Sequence, residues 1–205
     1  MKQKRKLSLI AGISYLIIFF AAIFANFFVL ESILKEPVRT ISENHMMVRF
    51  GILAFLITVV FDVVVAWALL ELYKDHFLSM LSTLFRMMHA AIMGVAVFAL
   101  VLALSSTGSQ EILKQTYIFN IIWLIGLFFF GTHLILLGRI IGRPKIIGIF
   151  LVIAGSMYMA DTAAHFMLPD YESYASIFLA LVAIPSIVGE MAFSLWLLLK
   201  GGKES

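Results

Sequence analysis

The chain contains no cysteine, which excludes a disulfide framework, a thiolate metal site and a dithiol redox pair. Charged residues make up only 13%, about half of the roughly 25% usual in a soluble domain. Prolines number four, and no stretch of polar, repeated or low-complexity sequence suggests a second, soluble domain. Catalytic signatures are also missing. There is no His-Glu-x-x-His zinc motif, no Gly-x-Ser-x-Gly nucleophile elbow, no glycine-rich phosphate loop and no Rossmann fingerprint. Ser156, in Ala-Gly-Ser-Met, has no histidine that spacing alone pairs with it.

What fills the chain instead is hydrocarbon. Hydrophobic residues reach 62% and the mean hydropathy is +1.05, so much of the surface must face lipid rather than water. Apolar runs occur at Leu7–Leu30, Met46–Leu70, Leu78–Leu104, Tyr117–Leu137, Ile146–Phe166 and Tyr174–Leu199. Each reaches the roughly 20 residues a helix needs to cross a hydrocarbon core of about 30 Å. Strands of a membrane barrel would show short segments of alternating polarity, and these runs do not alternate. The expectation is an all-α bundle of six transmembrane helices forming a single domain over residues 1–205. The first run follows Lys2, Lys4, Arg5 and Lys6 but is longer than a signal-peptide core, so it reads as a retained span. Pro37, Ser105–Ser109, Pro144 and Pro169 mark connections between spans. Pro185 falls inside the sixth span and predicts a kink about one turn before Glu190.

The distribution of Lys and Arg sets the expected orientation. With the N-terminus inside, cytoplasmic segments hold Lys2, Lys4, Arg5, Lys6, Lys74, Arg139, Arg143, Lys145, Lys200 and Lys203, against Lys35, Arg39, Arg49 and Lys114 outside. This bias places both termini in the cytoplasm. The net charge of +3 is the same bias seen globally. It does not call for a nucleic-acid partner, and the lipid bilayer is the partner it does imply.

Ionisable residues inside spans are costly and therefore informative. They are Asp62, Arg86, His89, His133, Asp161, His165 and Glu190. At about 1.5 Å rise per residue, Asp62, Arg86, His89, His133 and Glu190 share one slab in the cytoplasmic half. Arg86, His89 and Met93 stand at i, i+3 and i+7, one face of the third span. Asp161 and His165, at i and i+4, form an outer layer with Tyr158 one turn before. Arg86 calls for a carboxylate partner, either Asp62 or Glu190. Asp161 and His165 fit a hydrogen bond across one helix turn. His89 and His133 are weak candidates for metal or haem ligands; no cofactor is specified. Gly94, Gly126, Gly131, Gly138, Gly148 and Gly155 are expected to let helices approach closely.

The run FFFGTHLILLGRIIGRPKIIGIFLVIAGSMYMADTAAHFMLP, from Phe128 to Pro169, is followed by PSIVGEMAFSLWLLLKG, from Pro185 to Gly201. Together they resemble the bacterial membrane family catalogued as domain of unknown function 4386. Gly131, His133, Pro144, Gly148, Ala154, Gly155, Asp161, His165, Pro185, Glu190 and Trp196 fall on that pattern. FRMMHAAIMG, Phe85 to Gly94, resembles its third helix, with Arg86 in the matching place. The resemblance implies a six-span bacterial membrane protein and implies no activity.

Three functions stay open on the sequence. The leading one is a non-enzymatic protein whose polar layer binds or passes a small molecule or a proton. The second is a membrane enzyme or electron carrier using His89 and His133. The third is a structural subunit, with a second copy or another membrane protein as its partner.

Overall fold

The computed structural model describes residues 2–142 and 144–202; Arg143 and Lys203, which enter the charge count above, lie outside the described residues. The described chain is all helical with no strand, and six of its helices are long and apolar enough to cross a membrane. The first span is one continuous helical stretch made of α1 (Lys2–Ile23), a π-helical segment (Phe24–Leu30) and α2 (Glu31–Lys35). The other five are α4 (His45–Leu72), α5 (Ser79–Leu104), α6 (Ser109–Ile140), α7 (Lys145–Met167) and α8 (Ala175–Leu199). This is the architecture of a multi-pass membrane protein.

Two stretches that read as connection are helical. Pro37, taken from the sequence as a loop breaker, is the first residue of α3 (Pro37–Glu43), where its missing N–H has no helical partner to lose. Arg39 steadies that short helix by bonding Glu36 and Glu43, each at 3.0 Å. The fourth span begins at Ser109, eight residues before the apolar run. Its polar first turns fold because Ile112 is fully buried beside Ile33, Val48 and Ala103, so one anchored apolar residue carries the turn around it.

The long helices form a ring in chain order: each packs on its sequence neighbours, and α8 returns to pack on α1. Arg5 closes the ring at one end, here called the near end. Its guanidinium donates to the carbonyls of Leu197 (3.0 Å), Gly201 (2.9 Å) and Leu198. Leu197 and Leu198 lie in the last turn of α8, where carbonyls lack a partner within the helix. Gly202, at φ 67°, turns the chain beneath Arg5. Higher in the seam, Ser194 Oγ donates to the Gly12 carbonyl at 3.0 Å. The Phe193 ring meets Tyr15 edge-on at 5.8 Å.

Facing outward are large apolar side chains such as Phe20, Val95, Phe98 and Ile184, each more than 60% exposed, a surface suited to acyl chains rather than water. The tightest packing is between α6 and α7. A Cβ placed on Gly131 would lie 2.5 Å from the Gly155 carbonyl oxygen, and one on Gly138 the same distance from that of Gly148. Gly94 differs from the other glycines singled out in the sequence, because an added Cβ would meet only Val59, at 3.9 Å. Gly94→Ala should therefore raise stability by about 0.5–1 kcal/mol, through helix propensity. A melting midpoint in detergent below that of the wild type would show a contact at Gly94 that the fold does not contain.

Candidate functional site

The polar residues of the spans converge on the interior of the ring. Arg86, on α5, is only 1% exposed and lies at the centre. One terminal nitrogen donates to Asp62 Oδ1 on α4 at 2.6 Å. The other donates to the Tyr15 hydroxyl at 2.8 Å and faces His133 Nε2 at 3.2 Å. The guanidinium carbon stands 4.8 Å from the Tyr15 ring centre and 5.3 Å from that of Phe130, within cation–π range. Of the two acids that the sequence offers to Arg86, the ion pair is with Asp62.

Both inner histidines are held by backbone. His133 Nδ1 lies 2.9 Å from the Ser82 carbonyl, so its proton sits there and Nε2 accepts from Arg86. His89 Nδ1 donates to the Gly126 carbonyl at 3.0 Å. A side chain at Gly126 would press on that nitrogen, since its Cβ would lie 3.3 Å away. His89 Nε2 points toward Asp62 Oδ2 at 3.6 Å, so a proton gained there would give Asp62 a second cationic neighbour. No three metal-ligating side chains come together among the described residues.

Glu190 belongs to a separate chain of hydrogen bonds. Its Oε1 accepts from Ser186 Oγ at 2.8 Å, and that hydroxyl meets the Tyr158 hydroxyl at 2.9 Å. The second oxygen, Oε2, has no hydrogen-bond partner among the described residues. Pro185 lies within α8, which runs unbroken through it. Toward the far end, the expected Asp161–His165 bond does not form. Asp161 Oδ1 instead accepts from Tyr171 at 2.6 Å, and His165 packs edge-on to the Tyr171 ring at 4.6 Å. Burial pushes the Tyr171 phenol pKa up, and the Asp161 carboxylate that accepts its proton adds to the rise. The phenol therefore remains a donor.

Above this floor lies a cavity of about 640 Å³, bordered by Asp62, Arg86, His89, Tyr158, Ser186 and Glu190. It extends to Glu31, Asp161 and Tyr171 toward the far end, between the first span and α8. The π-helical segment helps to shape it. Within it the Asn26 amide donates to the Ala22 carbonyl at 2.8 Å, and Asn26 and Phe27 both border the cavity. Such π segments are often found beside functional sites.

Several members of this constellation were not reached by a search confined to ionisable residues. Tyr15, Ser82, Ser186, Tyr171 and Asn26 are neutral, and a single hydroxyl or amide hardly alters the hydropathy of a span. Their signal was available in a weaker form, because a buried donor or acceptor in lipid needs a partner.

The profile of a family described as "Domain of unknown function (DUF4386)" matches residues 10–201. The chain belongs to this family. An uncharacterized protein of Archaeoglobus fulgidus is 31% identical over 162 residues, covering 76% of this chain and 86% of that protein. No solved structure matches. The matched region of the DUF4386 family takes in five of the spans whole, the first from Ile10 onward, and every side chain that borders the cavity.

Proposed function

We propose that this DUF4386 protein is a non-enzymatic membrane protein that binds a small molecule in the cavity between its first span and α8. The observation that carries the reading is the cavity itself. Its volume, about 640 Å³, lies within the roughly 300–1,000 Å³ usual for small-ligand sites. It joins apolar walls to a few convergent polar groups, the combination that binds and orients a ligand. Residues 1–205 act as one transmembrane unit in this reading. The Lys and Arg bias supports a cytoplasmic near end. Arg5 supports the same sidedness for both chain ends, because it ties the start of α1 to the end of α8.

The neutral fluorophore N-phenyl-1-naphthylamine tests the site in lipid nanodiscs. Saturable fluorescence above that of empty discs is expected from the wild type. Ala183 borders the cavity, and Ala183→Trp should remove the saturable part while the protein still melts cooperatively. Equal binding by wild type and Ala183→Trp would sink the reading.

A further inference from the structure

We infer that the ligand of this cavity is a lipophilic monocation, a quaternary or protonated amine carrying apolar groups. The inference rests on the binding role proposed above and narrows it to a chemical class. It starts from charge. Four carboxylate residues border the cavity, Glu31, Asp62, Asp161 and Glu190, against one cationic residue, Arg86. The terminal nitrogens of Arg86 are engaged by Asp62, Tyr15 and His133, and its Nε, which has no hydrogen-bond partner among the described residues, is buried away from the cavity surface. Asp62 is correspondingly taken by Arg86, and Asp161 by Tyr171. Glu31 is bridged to Lys35 at 2.9 Å.

Asp161 and Glu190 both lack a cationic partner among the described residues, and of the two Glu190 lies farther from its helix ends. The one recorded bond of Glu190 is from a neutral hydroxyl, Ser186, and its other oxygen is unengaged beside the cavity. A carboxylate in a low-dielectric interior is stabilised most by an opposite charge at contact distance. The protein supplies none to Glu190, and a ligand cation would.

The walls fit the same ligand. Phe19, Phe27, Trp123 and Phe130 border the cavity. Aromatic faces attract cations and accept their apolar substituents. The route of entry fits as well. Direct α1–α8 bonds lie between residues 5–12 of one helix and 194–201 of the other. Farther along, Ile18, Ala22 and Ile23 border the cavity opposite Val182, Ala183 and Ile187. A ligand dissolved in the bilayer therefore meets the cavity where the seam carries no polar bond.

Tetraphenylphosphonium and tetraphenylborate, a cation and an anion of nearly the same shape, separate charge from fit. Saturable binding to the protein in nanodiscs is measured for both, with empty discs subtracted and N-phenyl-1-naphthylamine as the neutral reference. The phosphonium should bind about tenfold or more tightly than the borate, and Glu190→Gln should remove most of that preference. Cooperative melting in detergent reports that Glu190→Gln is folded, and the affinity of each protein for the neutral probe is the baseline against which its two ions are compared. Borate binding as tight as phosphonium, or a preference unchanged in Glu190→Gln, overturns the cationic class and leaves the binding role standing. Failure of all three probes to bind saturably overturns both.

Discussion

Arg86→Ala is expected to destabilise the protein by about 3–5 kcal/mol, the range found when one partner of a buried ion pair is removed. Asp62 would be left 4% exposed with its charge unmatched, and the Tyr15 hydroxyl and His133 Nε2 would each lose a donor. Asp62→Ala should cost a similar amount by stranding the guanidinium. The informative variant is the double one. Asp62→Leu with Arg86→Met replaces both charges by apolar side chains, and an uncharged interior needs no ion pair. Its loss of stability should be well below the sum of the losses of Asp62→Leu and Arg86→Met made singly, which a double-mutant cycle reads directly. Additive losses, measured by thermal unfolding in one detergent, would mean that Arg86 and Asp62 do not act as a unit. The same geometry makes Arg86 a poor probe of binding, because its loss removes the bundle's central tie. Glu190, bonded only to Ser186, is the better one.

Gly155→Val should be the second severe change. The α6 and α7 backbones touch at two levels, through Gly131 and Gly155 and again through Gly138 and Gly148. At the first level a Cβ on Gly155 would press on the Gly131 carbonyl oxygen and stand 3.0 Å from the Ile135 nitrogen. Backbone cannot swing aside as a side chain can, so the helices must separate and forfeit dispersion contacts along their length. Overpacking of this kind typically costs about 1–3 kcal/mol, and a rigid, β-branched side chain falls at the upper end. Gly131→Val should behave alike, because the contact is reciprocal. Melting of either variant at the wild-type temperature would contradict the close approach of α6 and α7. Gly94→Ala serves as the control, a glycine in the same kind of helix with open space around it.

The six apolar runs were plain in the sequence because each exceeds the membrane thickness, and length decides a span almost by itself. Their ends were less plain. Hydropathy stops at Leu30 and starts again at Tyr117, yet the helices run to Lys35 and from Ser109. Polar turns outside the apolar core cost nothing in hydropathy and are held by i, i+4 pairs such as Lys35–Glu31. The expensive groups of the site were found for the same reason that spans were, since charge in lipid demands an explanation. The choice between Asp62 and Glu190 was not legible. Depth along a helix comes from sequence, but the rotation of one helix against its neighbours comes only from packing. The Asp161–His165 pairing failed on similar grounds: a spacing of four permits the bond, while Tyr171, brought over by the turn after Pro169, competes for Asp161 and takes it. The π-helical segment left no trace in composition. Six of its seven residues are apolar, and its effect is geometric.

A row of packed helices has two outer members, each with one flank lacking a neighbour. This bundle has none, since α8 packs on α1 and Arg5 ties the two together at their ends. It is the helical counterpart of a sheet closed into a barrel, where closure removes the edges at which strands would otherwise recruit strangers. For two copies to exchange a helix, as in domain swapping, each donor would have to open on both flanks of the departing member rather than one. A second copy in the same bilayer therefore meets a finished outer wall. Trading a helix with that copy costs more than it would in an open row of helices.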